Sequence, residues 1–322
     1  MSAKGKIPKR LASFDLGTNT FLLLIADVSD GRIDPIFERE TIVRLGKGVD
    51  AAGNLNAEAM QRGLACLRDY VALAKQYGAE QIFAAGTSAL RDAANRDEFL
   101  RLAEKKVGIR IEIISGETEA KLTFAGVLSN MSHLPGPIAV LDIGGGSTEV
   151  VIGEPNSLQL DTSRSLQARS LDIGSVRLTE RFLQSDPVQP EEVARLREQT
   201  TTALRSYWPV ETLAPVRTVI GTAGTITTLA AMALGMDEYT PHRFENFSLS
   251  QPQLREIIAE LIRRPIAERK KMRGLSPARA DVILAGALIL EIFFEVYHFN
   301  EIVVSDRGLR YGMLIDKLVT QR

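Results

Sequence analysis

Asp15-Leu-Gly-Thr-Asn-Thr20 and Asp142-Ile-Gly-Gly-Gly-Ser-Thr148 decide the fold that we expect for this chain, because the two stretches carry nearly the same pattern. Each follows an apolar run and precedes a segment in which apolar residues alternate. The pattern predicts a strand that ends in Asp, a tight glycine turn with hydroxyl groups, and a second strand. One copy is an ordinary turn, but two copies that each open one half of the chain indicate a duplicated fold.

The residue types in these two turns point to a phosphate ligand. Glycine lets the backbone approach a ligand closely, and successive backbone N–H groups can then surround phosphate oxygens. The Asp beside each turn would repel phosphate unless a cation lies between them, so the pattern also predicts a divalent metal ion. We therefore expect a phosphate chain to be held between the two halves.

Composition excludes several other classes of protein. The 322 residues carry a net charge of -1, so no overall positive field attracts nucleic acid, and the single cysteine, Cys66, forms no internal disulfide. Met1–Arg10 makes a poor signal peptide, and the apolar segment Val282–Phe299 contains Glu291 and Glu295, which favours a buried helix over a membrane span. We expect a cytoplasmic protein without a membrane or nucleic-acid partner.

Hydrophobic periodicity predicts a mixed sheet flanked by helices, and the pattern occurs twice. Domain I is expected over residues 1–126 and domain II over 127–308, with a closing helix, 309–322, that packs back on domain I. Strands are expected near 11–16, 21–28, 32–44, 81–85, 110–114, 138–142, 147–153, 157–163, 217–220 and 301–304. Helices are expected at about 56–77, 97–107, from 115 onward, and at 175–184, 190–206, 223–234, 251–263, 277–297 and from 309.

Two glutamates are candidates for chemistry, although spacing alone does not decide their role. Glu149 directly follows the second turn, and strand alternation places it on the side of Ser147; a surface glutamate is the plainer interpretation. Glu119 lies one turn into a helix that Ser115 caps, where a solvated capping glutamate is at least as plausible. Glu117 would point away from Glu119, because residues two apart do not share a helix face.

Other small or charged segments have weaker signals. The loop Gly86-Thr-Ser-Ala-Leu-Arg91 ends in an arginine that could bind phosphate, or simply lie on the surface. Gly221-Thr-Ala-Gly-Thr225 opens a helix and suits an anion or nucleotide, although it lacks the lysine of a Walker loop. We interpret Asp172 or Ser175 as a helix cap, and the basic run over 263–273 as a solvated loop.

Together these motifs resemble the exopolyphosphatase/guanosine pentaphosphate phosphatase (Ppx/GppA) family, of the actin/hexokinase/Hsp70-type superfamily. The matching stretches occur in family order over nearly the entire chain: Asp15–Thr20, Gly86–Arg91, Ile114–Lys121, Asp142–Glu149, Gly221–Thr225 and Arg279–Asp281. The resemblance implies an α/β fold of two actin/hexokinase-like (ribonuclease H-like) domains with the active site in the interdomain cleft. It also implies Mg²⁺-dependent hydrolysis of the terminal phosphoanhydride of inorganic polyphosphate, with Mn²⁺ as an alternative metal.

The resemblance further assigns roles to residues. Glu119 matches the family's catalytic base, Asp142 and Glu149 match its acidic metal-binding and water-positioning residues, and Asp15 is a third expected metal ligand. The residues expected to contact substrate are Gly17, Thr18, Asn19, Thr20, Arg91, Gly144, Gly145, Gly146, Ser147, Thr148, Gly221, Thr222, Gly224 and Thr225.

Several alternatives stay open. The same centre could remove the terminal phosphate of guanosine pentaphosphate, and a superfamily kinase would use an acceptor hydroxyl instead of water. An actin-like nucleotide-binding assembly protein would need neither Glu119 nor Glu149. The chain resembles the short, two-domain form of the family, so the extended channel of longer relatives is not implied. The sequence does not determine the oligomeric state, for which a homodimer is one option.

Overall fold

A computed structural model describes most of the chain and divides it into two compact units. Unit 1 comprises Met1–Asn130 together with Arg307–Arg322, and unit 2 comprises Met131–Asp306. The described residues are 8–29, 32–131, 134–155, 166–237 and 243–320, with side chains described as far as 317.

Within these residues the chain forms eleven strands. They are β1 Lys9–Leu16, β2 Thr20–Ser29, β3 Arg32–Ile42, β4 Gln81–Gly86, β5 Glu112–Ile113, β6 Ile138–Ile143, β7 Thr148–Gly153, β8 Gln167–Leu171, β9 Thr218–Thr222, β10 Ser248–Ser250 and β11 Glu301–Val304. The sequence did not predict β8 or β10, and the expected strand at 157–163 lies outside the described residues. Strand β5 is shorter than expected.

The same residues form thirteen α-helices and one 3₁₀ turn, at Pro277–Arg279. The helices are α1 Val49–Ala52, α2 Ala57–Gln76, α3 Ser88–Asp92, α4 Arg96–Val107, α5 Gly116–Leu128, α6 Ser175–Phe182, α7 Pro190–Tyr207, α8 Val210–Leu213, α9 Ala223–Ala233, α10 Gln251–Arg263, α11 Ile266–Arg269, α12 Ile283–Tyr297 and α13 Leu309–Thr320. Polar caps explain two starts: Asn56 accepts the amide of Ala59 before α2, and Ser115 accepts that of Thr118 before α5.

The two sheets share one topology. Sheet 1 has the order β3-β2-β1-β4-β5, and sheet 2 repeats it as β8-β7-β6-β9-β11 with β10 added at the edge. In both sheets the first three strands form an antiparallel meander. The fourth strand pairs in parallel with the first strand of the meander, and the fifth pairs in parallel with the fourth. This repeat is the ribonuclease H-like arrangement, so the expected duplication of an α/β fold is confirmed.

Helix α13 returns to unit 1 and crosses α5 at very short distance. A Cβ atom at Gly126 would collide with the carbonyl oxygen of Gly308, and one at Gly312 would collide with that of Leu122. Ser13 of β1 donates a hydrogen bond to the carbonyl of Arg310, 2.7 Å away. The absence of side chains at these glycines therefore lets α13 pack directly against α5 and β1.

Helix α12 lies at the centre of unit 2, where it packs against α6, α7, α9 and α10. Fourteen of its fifteen residues are buried, and the ion pair between Arg197 and Glu291 satisfies the carboxylate within the apolar run. The buried-helix interpretation is confirmed, and within the described residues no helix has the length and hydrophobicity that a bilayer span requires. The 3₁₀ turn precedes α12, which begins at Ile283 and not at residue 277.

Two interpretations of polar segments were wrong. Ser175 does not cap α6: the cap residue is Gly174, without a side-chain hydrogen bond, and the Ser175 amide donates to the carbonyl of Gly144. The basic run is not a simple solvated loop, because Arg269 is only 1% exposed and its Nε donates to the carbonyls of Leu261 and Arg264. Arg269 thereby caps the end of α10.

Candidate active site

The two glycine turns have the same closing bond. In the first, the Gly17 amide donates to the carbonyl of Thr20 over 3.0 Å; in the second, the Gly144 amide donates to that of Ser147, also over 3.0 Å. A Cβ atom on Gly17 would lie 2.8 Å from the Thr20 oxygen. These two glycines therefore close the turns, and their amides are not available to a ligand.

The central carbonyls of the first turn are held by the segment that follows β3. The Thr18 carbonyl accepts the amide of Gly46 over 2.8 Å, and the Asn19 carbonyl accepts the amides of Val43 and Arg44 over 3.0 and 2.8 Å. Within the described residues the amides of Thr18 and Asn19 make no hydrogen bond. The buried Asn19 Nδ2 likewise has no partner there, so three unused donors lie in this turn.

The second turn repeats this arrangement with different residues. The Gly145 carbonyl accepts the amides of Val176 and Arg177 over 2.8 and 3.1 Å, and the Gly146 carbonyl accepts Arg177 Nε over 2.7 Å. Among the residues that the structure describes, the amides of Gly145 and Gly146 have no partner. Each turn thus directs two central carbonyls to protein and keeps two central amides available, which suits an anion.

Sequence reasoning missed the segment that supports the second turn. A Cβ atom at Gly174 would lie 2.5 Å from the Gly145 oxygen, so the close approach of this segment depends on glycine. Thr148, an expected substrate contact, is fully buried and donates to the carbonyl of Ile173 over 2.7 Å. The Asp-Ile-Gly pattern at 172–174 was the available signal in the sequence, because the segment that it begins contacts the second turn.

A row of polar residues crosses sheet 2 beside the second turn. Asp142 of β6 pairs directly with Glu149 of β7, and the row continues to Thr222 on one side and Ser170 on the other. Asp142 is 9% exposed and Glu149 only 1%, so the plain interpretation of Glu149 as a surface glutamate was wrong. Residues paired in this way share one face of the sheet, which places the two carboxylates side by side.

The first turn lacks this second carboxylate. Asp15 pairs with Leu22, the residue that corresponds to Glu149 when the two closing bonds are aligned. Unit 1 therefore offers one half-buried carboxylate beside its turn where unit 2 offers a pair.

Glu119 and Arg91 lie together in unit 1. Arg91 is not in a loop, since it belongs to the short helix α3, and its Nη1 donates to Glu119 Oε2 over 2.5 Å and to the Ile114 carbonyl over 3.2 Å. Burial raises the pKa of the Glu119 carboxyl, and the Arg91 charge opposes this shift. Glu117, by contrast, is exposed, as expected for a residue that does not share the helix face of Glu119, and it pairs with Lys121.

The third glycine segment lies beside Asp142, because Thr222 at the end of β9 is its register partner. Gly221 packs within the sheet against Ile302, while Gly224 lies directly under the guanidinium of Arg279, where a Cβ atom would collide. Ala223 adopts a left-handed φ of 68° at the start of α9. Thr225, an expected substrate contact, is buried against Gly286. Arg279, which covers Gly224, was not among the expected site residues.

Comparison with known proteins agrees with these features. Residues 24–321 match the model of the Ppx/GppA phosphatase family. Exopolyphosphatase 2 of Mycobacterium tuberculosis is 38% identical over 295 residues, which cover 88% of this chain and 89% of that protein.

Solved structures give the same result. The crystal structure of the Aquifex aeolicus Ppx/GppA family member is similar with a TM-score of 0.79 and 33% identity, over 98% of this chain and 99% of that one. An exopolyphosphatase from Cytophaga hutchinsonii has a TM-score of 0.85 at 29% identity, over 96% and 98% of the two chains. The chain therefore belongs to the Ppx/GppA phosphatase family.

Proposed function

We propose that this protein is an exopolyphosphatase that releases orthophosphate from the end of inorganic polyphosphate. The observation that carries the proposal is the buried pair Asp142–Glu149 beside a turn whose central amides are available to an anion. The relatives named exopolyphosphatase, similar over most of their length, support the same activity.

A divalent cation fits the chemistry of this carboxylate pair. Two like charges placed opposite each other on one sheet face destabilise it, and a bound cation would remove that repulsion. Among the described residues no group of three or more His, Cys, Asp or Glu side chains could hold a metal. Mg²⁺ usually binds through one or two carboxylates and completes its shell with water and phosphate oxygens, so Asp142 and Glu149 suffice. We propose Mg²⁺ as the metal, Mn²⁺ as its substitute, and Asp15 as a further ligand.

Hydrolysis needs a general base, hydrogen-bond donors that hold the phosphate oxygens, and a cation that neutralises their charge. Glu119 would accept a proton from water while the water oxygen bonds to the terminal phosphorus and the bond to the bridging oxygen breaks. Orthophosphate then leaves, and the bridging oxygen stays on the shortened chain. The turn amides, Asn19 and Arg91 would bind phosphate oxygens, and the metal would neutralise charge that develops on them.

The test compares orthophosphate release from long polyphosphate, short polyphosphate and guanosine pentaphosphate, each with and without Mg²⁺. We expect Mg²⁺-dependent release from polyphosphate without any acceptor. Faster release from guanosine pentaphosphate would assign the chain to that alternative substrate. ADP formation that requires an acceptor would indicate a kinase, and filaments with slow ATP turnover would indicate an assembly protein; either result would contradict the proposal.

A further inference from the structure

We propose that Ser170 is a positioning residue whose hydroxyl fixes the Glu149 carboxylate in its metal-binding orientation. This inference rests on the proposed function, because it assumes that Glu149 binds the divalent cation. Ser170 lies outside the sequence motifs that mark the two turns and the candidate glutamates.

The contact is short and its geometry is set by the sheet. Ser170 Oγ donates to Glu149 Oε1 over 2.6 Å, and the two residues are direct register partners on β8 and β7. Because the acceptor is a carboxylate, this hydrogen bond is stronger than one between neutral groups. Ser170 has one heavy-atom side-chain torsion, so its hydroxyl oxygen has only three staggered positions relative to the strand backbone.

Glu149 needs such a partner because of its other neighbour. The Asp142 carboxylate lies on the opposite side of Glu149 in the same row, and repulsion between the two favours rotation of the longer glutamate side chain. The Ser170 bond opposes that rotation, so the Glu149 carboxylate is oriented before a cation arrives. Residues that orient metal ligands in this way typically change metal affinity or activity by about 10–100-fold when they are removed.

The chain provides a matched control for the loss of a serine–glutamate bond. Ser248 Oγ donates to Glu301 Oε2 over 2.6 Å, also in sheet 2, on β10 and β11, but both residues are exposed. Ser248→Ala removes the same kind of bond from a pair that the mechanism does not use. Ser170→Thr restores the hydroxyl at the tested position, and threonine is favoured in strands.

The experiment measures Mn²⁺ binding to metal-free protein by electron paramagnetic resonance, without substrate, together with the thermal midpoint in chelator and the Mg²⁺ dependence of turnover. We expect Ser170→Ala to weaken Mn²⁺ binding about 10-fold or more and to raise the Mg²⁺ needed for half-maximal rate. Ser170→Thr and Ser248→Ala should bind Mn²⁺ like the wild type, and the thermal midpoints in chelator should agree within a few degrees.

Glu149→Gln separates the inference from the proposed function. If Glu149→Gln weakens Mn²⁺ binding but Ser170→Ala does not, the positioning role is wrong and the metal assignment stands. If Glu149→Gln binds Mn²⁺ like the wild type, the metal assignment itself is wrong. If Ser170→Ala and Ser248→Ala weaken binding equally, the effect is not specific to the site, and the inference is overturned.

Discussion

Arg91 Nη1 lies 2.5 Å from Glu119 Oε2, so the expected catalytic base forms an ion pair with the expected phosphate-binding arginine in unit 1. The two residues come from α3 and α5, which follow different strands of sheet 1. The pair orients the carboxylate and links it to the residue that would bind substrate. If Glu119 is replaced by glutamine, the side-chain amide oxygen can still accept the hydrogen bond from Arg91.

Replacement of Glu119 by Gln should remove most activity while the fold is retained. The loss of a well-placed general base is expected to reduce turnover about 10²–10⁴-fold. Because burial raises the pKa of Glu119, its ionised form lowers stability at neutral pH, and the neutral amide should not reduce the thermal midpoint. Glu117→Gln, on the exposed side of α5, is the control and should leave turnover unchanged. Wild-type turnover in Glu119→Gln would exclude Glu119 as the base.

The decrease in kcat/KM at low pH should reflect protonation of the Glu119 carboxyl. A base acts when deprotonated, so kcat/KM should fall as pH decreases through a pKa above the ordinary glutamate value of 4.5. Arg91 lowers this pKa, so its replacement by Met should move the acid limb to higher pH, in addition to weakening substrate binding. A limb at or below 4.5 in the wild type, or no movement in Arg91→Met, would contradict this assignment.

Asp142→Asn should weaken Mg²⁺ binding without lowering the thermal midpoint of the metal-free protein. Without metal, the variant should melt at or above the wild-type temperature, because one of two facing carboxylates has lost its charge. Mg²⁺ should raise the midpoint of the wild type, since a ligand that binds only the folded state stabilises it, and should raise that of the variant much less. Differential scanning calorimetry with and without Mg²⁺ measures both effects. Equal shifts in the two proteins would exclude Asp142 as a ligand.

Gly174→Ala should displace the second turn, because Gly174 contacts the Gly145 backbone. Its backbone is extended, with φ of -154°, so the conformation tolerates alanine, but the added Cβ would lie 2.5 Å from the Gly145 oxygen. We expect the turn amides to shift and KM for polyphosphate to rise about 10-fold, the equivalent of about 1.4 kcal/mol. Steady-state kinetics beside a thermal melt measure the effect, and an unchanged KM would show that the segment at 174–177 does not position the turn.

Gly312→Ala should weaken unit 1. The added Cβ would collide with the Leu122 carbonyl at the crossing of α13 and α5, and overpacking of this kind costs about 1–3 kcal/mol. Urea denaturation should show a lower midpoint than that of the wild type. A midpoint equal to the wild-type value would mean that the two helices separate at little cost.

Much of the site was predictable because its parts are local in sequence. The strand-turn-strand pattern places Asp142 opposite Glu149 across a hairpin, and the Ser115 cap places Glu119 near the start of α5. The assignment of roles to Glu119 and Glu149 came from family resemblance, because spacing alone favoured plain surface glutamates.

By itself, the sequence determined the two glycine turns, most strands and helices, and the duplication of the fold, since these depend on neighbours a few residues apart. Tertiary structure decided that Arg177 and Gly174 support the second turn, that Ser170 contacts Glu149, and that the closing helix crosses α5 closely at Gly126 and Gly312. Such contacts join distant segments. They depend on strand register and close packing, and a one-dimensional pattern contains neither.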